Sequence, residues 1–385
     1  MGCAVGHAGA RSWPRWQVPK ATGGRKFLRQ LAGMLGSLLA VGGAKAVDLP
    51  EDRGDVMYHL YDGGGVKASG PALLLRKKVS DNLSLTGTYY VDMVSNASID
   101  VVTTASPYKE TRNEYSLGLD YAVRDTLITL TAASSKEPDY VANRINLDMA
   151  QDVFGGMTTV SLGFTRGSDE VGKHGTAGYF DTAQHWQYRL GLTQILSPTW
   201  LASMNLEAIS DNGYLGSPYR IAYVFGAAVP ENVPRTRTSR AVKFRAVGAV
   251  AERTAVRAEY RYFWDTWAIK ASTLEFGASR YFGDSWLADA WVRYYTQQGA
   301  LFYSDNATVQ TQYITRNRQL STFTTTSVGT KVAYTLKQVP GRYEIKLNGS
   351  YEFLQFKYSD FTDIRTGTPY SSSASLVQLF VTATF

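Results

Sequence analysis

Cysteine occurs once in the 385 residues, at Cys3. Beyond that position the chain has no thiol, which excludes disulfides, thiolate metal centres and a cysteine nucleophile. Such a chain also suits passage through an oxidising compartment. Cys3 follows no apolar run, so a lipid anchor there has little support. Histidine is nearly as scarce, and after residue 46 only His59, His174 and His185 occur. No apolar run approaches the roughly 18 to 20 residues of a membrane helix, and helical periodicity is almost absent. Gly63-Gly64-Gly65 follows a strand pattern but opens no helix, so it reads as a turn and not a phosphate cradle.

The formal charge of +7 excludes less than it suggests. Arg11, Arg15, Lys20, Arg25, Lys26, Arg29 and Lys45 lie in residues 1–46, which hold no acid. The remainder is neutral, so no nucleic-acid partner is expected.

What is present begins with an export signal. The basic segment precedes a modest apolar stretch, Leu31 to Ala44, and Ala44-Lys45-Ala46 matches a small-x-small cleavage site. The expected division is a signal peptide over 1–46 and one domain over 47–385. The stretch is too short and too rich in glycine for a transmembrane anchor. The basic part is long for a signal, and a translation start near Val18 would account for it. Arg25-Lys26-Phe27-Leu28 has the wrong spacing for a twin-arginine signal.

Beyond the signal the dominant pattern is strict alternation of apolar and polar residues. Leu83, Leu85, Tyr89, Val91 and Met93 alternate with Ser84, Thr86, Thr88, Tyr90 and Asp92. The same phase recurs over Glu114 to Val123, Val256 to Asp265 and Tyr343 to Phe353. A soluble sandwich would turn the apolar face inward, whereas a membrane barrel turns it to lipid. Length separates the two, because sandwich strands run about 5 to 6 residues and these run about 10 to 14. Aromatics gather near the strand ends, at Tyr89 and Tyr90, Tyr260 to Trp264, Tyr281 and Phe282, Trp286, Tyr294 and Tyr295, and Tyr351 and Phe353. That arrangement suits interfacial girdles. The chain closes on Val377, Leu379, Val381, Ala383 and a terminal Phe385 in alternation, which resembles the recognition signal of bacterial outer-membrane proteins and implies the barrel-insertion machinery as a partner.

The expected fold is therefore all-β: a transmembrane antiparallel up-and-down barrel in the bacterial outer membrane, against lipid and lipopolysaccharide. Strands are expected near 55–62, 66–78, 83–95, 113–123, 126–135, 140–152, 157–168, 184–196, 199–210, 237–250, 253–266, 269–281, 286–298, 322–337, 342–358 and 374–385. That makes 16, with 14 as the second choice; the first, second and fifth have the weakest patterns. Short turns such as Arg124-Asp125 and Gly283-Asp284 alternate with long extracellular loops over 96–112, 167–183, 211–236, 299–321 and 359–373. Ile221 to Val229 is an apolar run inside one of those loops, and it is open as a further strand or a segment folded into the lumen.

Several segments carry a family resemblance. They are Gly70-Pro71 with Arg76-Lys77-Lys78-Val79, Tyr89 to Ser95, Ser98 to Tyr108, Pro234 to Ser239, Glu259 to Asp265 and Arg293-Tyr294-Tyr295. The chain resembles the uncharacterised outer-membrane barrel family known as domain of unknown function 3570, from about Asp55 to Phe385. The resemblance implies a location and a fold, and no activity or site residues. It also implies gene neighbours that include a small lipoprotein, a thioredoxin-like protein and a flavin-transferring enzyme, and so an envelope redox link. No residue here carries such a link.

The polar phase supplies lumen-lining candidates: Glu114, Asp120, Lys243, Arg245, Arg257, Glu259, Arg261, Asp265, Arg293, Glu344, Lys346 and Glu352, with Asp92, Arg189, Glu207, Glu275, Asp289 and Lys331 beside them. They would line a water-filled passage or pair into a network that closes it; signs are balanced, so strong ion selectivity is not expected. Arg220, Arg235, Arg237 and Arg240 are candidates for binding an anion or lipopolysaccharide phosphate, since guanidinium groups bind phosphate bidentately; a solvated loop, or pairing with loop acids such as Glu231, is the alternative. The apolar loop Ser98 to Tyr108 would form a constriction in the lumen, dock a partner or stand as an extended hairpin above the membrane. His174, near Asp169 and Glu170, has no triad spacing, and with His185 it makes no metal pattern. Neither catalytic residues, metal nor cofactor are expected. The leading expectation is a passive or gated conduit for small solutes, ahead of a scaffold docking periplasmic or lipoprotein partners and, last, a surface hydrolase.

Overall fold

The structure is a computed structural model, and it describes residues 47–99, 108–173, 175–176 and 178–385. Sixteen strands close into one antiparallel barrel, and two short strands form a separate hairpin. In chain order they are β1 Arg53–Gly63, β2 Val66–Ser80, β3 Leu83–Asn96, β4 Tyr108–Val123, β5 Thr126–Lys136, β6 Tyr140–Val153, β7 Thr158–Gly172, β8 Phe180–Ser197 and β9 Trp200–Gly213. The hairpin is β10 Ile221–Val224 and β11 Ala227–Pro230. The barrel resumes with β12 Thr236–Ala251, β13 Thr254–Asp265, β14 Lys270–Phe282, β15 Trp286–Gln298, β16 Phe323–Val339, β17 Tyr343–Asp363 and β18 Thr368–Thr384. Each barrel strand pairs with its sequence neighbours, β9 pairing with β12 across the hairpin. β1 closes the ring on β18, from Arg53 opposite Thr384 to Gly63 opposite Ala374. Closure leaves no strand edge, which a sheet surrounded by hydrocarbon requires.

Burial is inverted relative to a soluble protein. On β1, Val56 is 58% and Tyr58 is 50% exposed, while Asp55 and His59 on either side of them are buried. Leu117, Phe276, Val292, Val328 and Leu379 continue the exposed apolar belt around the ring. The apolar phase therefore meets lipid and the polar phase lines the interior, and this is a membrane-spanning barrel.

At the end that carries both strand termini the connections are tight. Arg124, Phe154 and Arg253 adopt positive φ there, with Gly155, Gly156, Gly283 and Gly341. The opposite end carries the long connections and the β10–β11 hairpin. In the outer membrane this places the termini in the periplasm.

Expected and observed strands agree closely, including the three with the weakest patterns. Two expected loops are largely strand. β17 runs to Asp363 and β18 starts at Thr368, and the ladder resumes above a bulge with Thr362 opposite Pro369. β7 and β8 likewise extend the 167–183 region as a ladder up to Gly172 opposite Phe180. A hairpin above the membrane keeps its backbone bonds while losing the apolar phase that marks a strand in sequence. The aromatic girdles also need correction. Tyr90, Phe263, Tyr281 and Tyr295 fall on the inward phase by register. Adjacent residues of a strand take opposite faces, so each aromatic doublet sends one ring to lipid and one inward.

Candidate functional site

The interior wall is the site. Strand register assigns each inward side chain, and all twelve lumen candidates named from sequence take the inward phase. Acids concentrate on one side. β3 contributes Asp92, β4 Glu110, Glu114 and Asp120, β6 Asp148 and Asp152, β7 Asp169, β8 Asp181, and β9 Glu207 and Asp211. Against these stand Arg112, Arg144, Arg189 and His185. From β12 to β16 the balance reverses: Arg237, Lys243, Arg245, Arg257, Arg261, Arg293 and Lys331 face inward with Glu259, Asp265, Glu275 and Asp289.

These charges pair along the wall. Arg257 meets Glu275 at 3.3 Å and Asp289 at 2.6 Å. Arg293 meets Glu275 at 2.8 Å and Glu352 at 3.5 Å. Arg261 reaches Glu207 at 3.1 Å, Arg189 reaches Asp148 at 2.7 Å, and Arg237 reaches Asp265 at 2.6 Å. Lys346 pairs with Glu344 at 3.0 Å, and Arg144 pairs with Glu114. Asp120 accepts from Thr129 at 2.7 Å. Each of these ion pairs joins residues of one strand or of strands at most two positions apart in the ring. Two glycines let the side chains lie flat. A Cβ on Gly277 would come within 2.4 Å of the Arg257 guanidinium carbon, and one on Gly329 within 2.2 Å of the Trp291 ring.

Two constellations were not evident from sequence. His185 lies between two carboxylates, with Nδ1 2.8 Å from Asp211 and Nε2 3.0 Å from Asp169, and Tyr140 donates to the same Asp169. His59, buried at 4% exposure, holds Asp92 through Nε2 at 2.7 Å and stacks on Tyr90 at 4.6 Å. Arg112 holds the other oxygen of Asp92 at 2.5 Å.

The loops over 214–235 and 299–322 narrow the extracellular mouth. Val233, Trp267, Ile269, Ala300 and Leu320 form a small core, and the inward-facing Phe263 packs against it. Inward-facing Gln297 donates to the carbonyls of Gln319 and Ser321, both at 2.9 Å. The loops therefore lean over the lumen. Backbone bonds join them: Phe225 N–H donates to Ala307 at 2.8 Å, and Ile314 N–H to Asn232 at 2.7 Å. A second small core of Ala222, Val224 and Ile314 backs that junction. Thus Ile221 to Val229 adds no barrel strand and is a hairpin of the mouth. Arg316 locks the assembly to β17. It pairs with Asp305 at 2.8 Å, donates to the Thr362 carbonyl at 2.6 Å and lies 4.4 Å over Phe361. On the other side Tyr219 donates to Asp139, between β5 and β6. β17 and β6 are nine steps apart one way around the ring and seven the other, so the anchors are nearly opposite.

The four arginines proposed for anion binding are spread out. Arg235 forms a bidentate pair with Asp181, at 2.8 and 2.6 Å. Arg237 faces the lumen, paired with Asp265 and 4.6 Å over Trp267. Arg240 takes the opposite, outward phase of β12 and is exposed. Arg220 sits in the mouth loop, where its carbonyl accepts from Glu231 N–H at 3.1 Å. Residues 100–107 of the expected constriction and His174 lie outside the described residues; Ser98 and Ile99 are buried. Among the described residues, Glu110, Glu137 and Asp139 bring one carboxylate oxygen each within 4.8 Å of one another, a donor set suited to a hard divalent cation. Burial, reinforced by the charge of Glu110, pushes the Glu137 carboxyl up to about 7.

No curated protein matches this sequence. Solved structures align with this chain at low identity. A bacterial polysaccharide outer membrane secretin aligns at TM-score 0.50 and 8% identity, over 87% of this chain and 99% of its own. OmpT, an outer membrane protein of Vibrio cholerae, aligns at TM-score 0.45 and 9% identity, over 87% and 98%. The siderophore receptor PirA from Pseudomonas aeruginosa aligns at TM-score 0.42 and 12% identity over 87% of this chain, which spans 63% of the receptor's length. The sequence model of the family described as "Protein of unknown function (DUF3570)" matches residues 96–352, more than half of the chain, and this outer-membrane β-barrel belongs to that family.

Proposed function

We propose that this barrel is a passive conduit for small solutes, gated at its extracellular mouth. The observation that carries the reading is the course of the ion pairs. Each stays within two strands along the wall, and Arg257 and Trp291 are seated flat over glycines. A ring of sixteen strands encloses more space than its side chains fill, and a wall-hugging network leaves that space to water. Planar-bilayer recording of folded Val47 to Phe385 tests this, with discrete current steps expected.

A second reading is a non-conducting envelope scaffold that docks periplasmic or lipoprotein partners in envelope redox traffic. The locked mouth supports it, because the loops lean over the lumen from anchors on nearly opposite sides. Silent but folded protein that co-purifies with such a partner would favour it. A surface hydrolase has less support. Both nitrogens of His185 face carboxylates, which leaves neither to activate a nucleophile. The proposal includes export: residues 1–46 are removed as a signal peptide, and Phe385 takes part in insertion. Sequencing the mature N-terminus is expected to begin at Val47.

A further inference from the structure

The interior charges are nearly balanced in sum but segregated in space. From β3 to β9 ten inward acids face three arginines and one histidine, whereas from β12 to β16 seven bases face four acids. The remaining strands, β17, β18, β1 and β2, are close to neutral: Arg53, Arg76, Lys78 and Lys346 against Asp55, Glu344 and Glu352. The middle of the acidic arc and the middle of the basic arc lie about six strands apart in the ring of sixteen, well across the lumen from each other.

Local pairing reduces the excess, since Arg235 from the mouth loop holds Asp181 and Arg261 of the basic arc holds Glu207, but does not erase it. On the acidic arc, Asp169 and Asp211 share one imidazole, His185, and Asp120 has its nearest cation, Arg76, at 3.9 Å. The basic arc is the mirror image. Lys243 and Arg245 both reach the single carboxylate of Glu259, at 3.5 and 3.9 Å. The acidic arc thus faces the basic arc across the lumen. A low-dielectric wall on either side focuses the resulting field across the water between them.

We infer that the lumen carries a transverse field that favours zwitterionic small solutes, with the cationic end of the solute toward the β3–β9 arc and the anionic end toward the β12–β16 arc. The inference rests on the conduit reading and names its solute class. A solute with both charges aligns with the field, and an uncharged solute of the same size gains nothing from it.

The test is permeation into proteoliposomes of glycine and of its uncharged isomer glycolamide, with protein-free vesicles as the baseline. Glycine is expected to enter about three- to tenfold faster through the protein, the range that modest field focusing supports. In the variant Lys243→Gln/Arg245→Gln, checked for folding by heat-shifted gel mobility, the ratio is expected to fall toward one while glycolamide still passes. Asp169→Asn/Asp211→Asn should do the same from the opposite arc. Equal rates for both solutes in the wild-type protein would overturn the inference and leave the conduit standing. Entry of neither solute would overturn both. A wild-type preference that persists in both folded variants would place the selectivity elsewhere and overturn the assignment to these arcs.

Discussion

Replacing Arg316 with alanine removes the lock that ties the mouth loops to β17. The guanidinium side chain is 5% exposed and Asp305 is 26% exposed. Arg316 also supplies bonds to the carbonyls of Asp305 and Thr362, at 3.0 and 2.6 Å. Breaking a buried pair costs about 3 to 5 kcal/mol, largely because the abandoned partner stays desolvated. Asp305 can regain water, so the lower end applies, about 3 kcal/mol. A bias of that size multiplies the population of the released mouth about a hundredfold, at about 1.4 kcal/mol per decade. The lock lies beyond the apolar belt, so insertion and heat-shifted mobility should be unchanged. Single-channel recording should show added transitions to a larger conductance level and a higher mean current. Identical amplitudes and dwell times in wild-type and R316A protein would refute the idea that these loops narrow the passage.

Three further outcomes follow from the same geometry. Gly277→Leu puts side-chain atoms where the Arg257 guanidinium lies, 2.4 Å from the position of Cβ; Arg257 must swing into the lumen, and conductance should fall while the barrel still folds. Leu117→Arg places a cation on the lipid face at a side chain 74% exposed, which should cost about 2 to 4 kcal/mol near the midplane and shift urea unfolding in detergent or bilayer accordingly. Burial and the neighbouring Glu110 raise the Glu137 carboxyl to about 7 against an ordinary 4.5. The fold therefore keeps a proton that the unfolded chain loses between those values, so stability falls as pH rises from about 4.5 to 7 and then levels off. Glu137→Gln should stabilise the protein by up to about 3 kcal/mol at pH 8 and leave it unchanged at pH 4, read by thermal unfolding.

The barrel was legible because lipid and lumen impose a period of two on every crossing. The hairpin tops were not, since β17 beyond Tyr358 and β18 before Ala374 pair above the lipid, where neither face needs to be apolar. The mouth was also hidden. Its junctions join Val224 to Ala307 and Asn232 to Ile314, contacts between distant segments that no local pattern announces. Arg316 in particular looks like any loop arginine in sequence. The segregated charges were accessible in principle. Ring order in an up-and-down barrel follows chain order, so adding inward charges strand by strand would have exposed acids early and bases later. The sum over the whole lumen conceals this.

Single-channel current tests the central claim most directly. Val47 to Phe385 would be refolded in detergent, verified by heat-shifted mobility and inserted into a planar bilayer. Discrete, reproducible current steps in the wild-type protein, enlarged in R316A, are the predicted result. Silence from both proteins, each shown to be folded and inserted, would contradict it and mean that the lumen is closed.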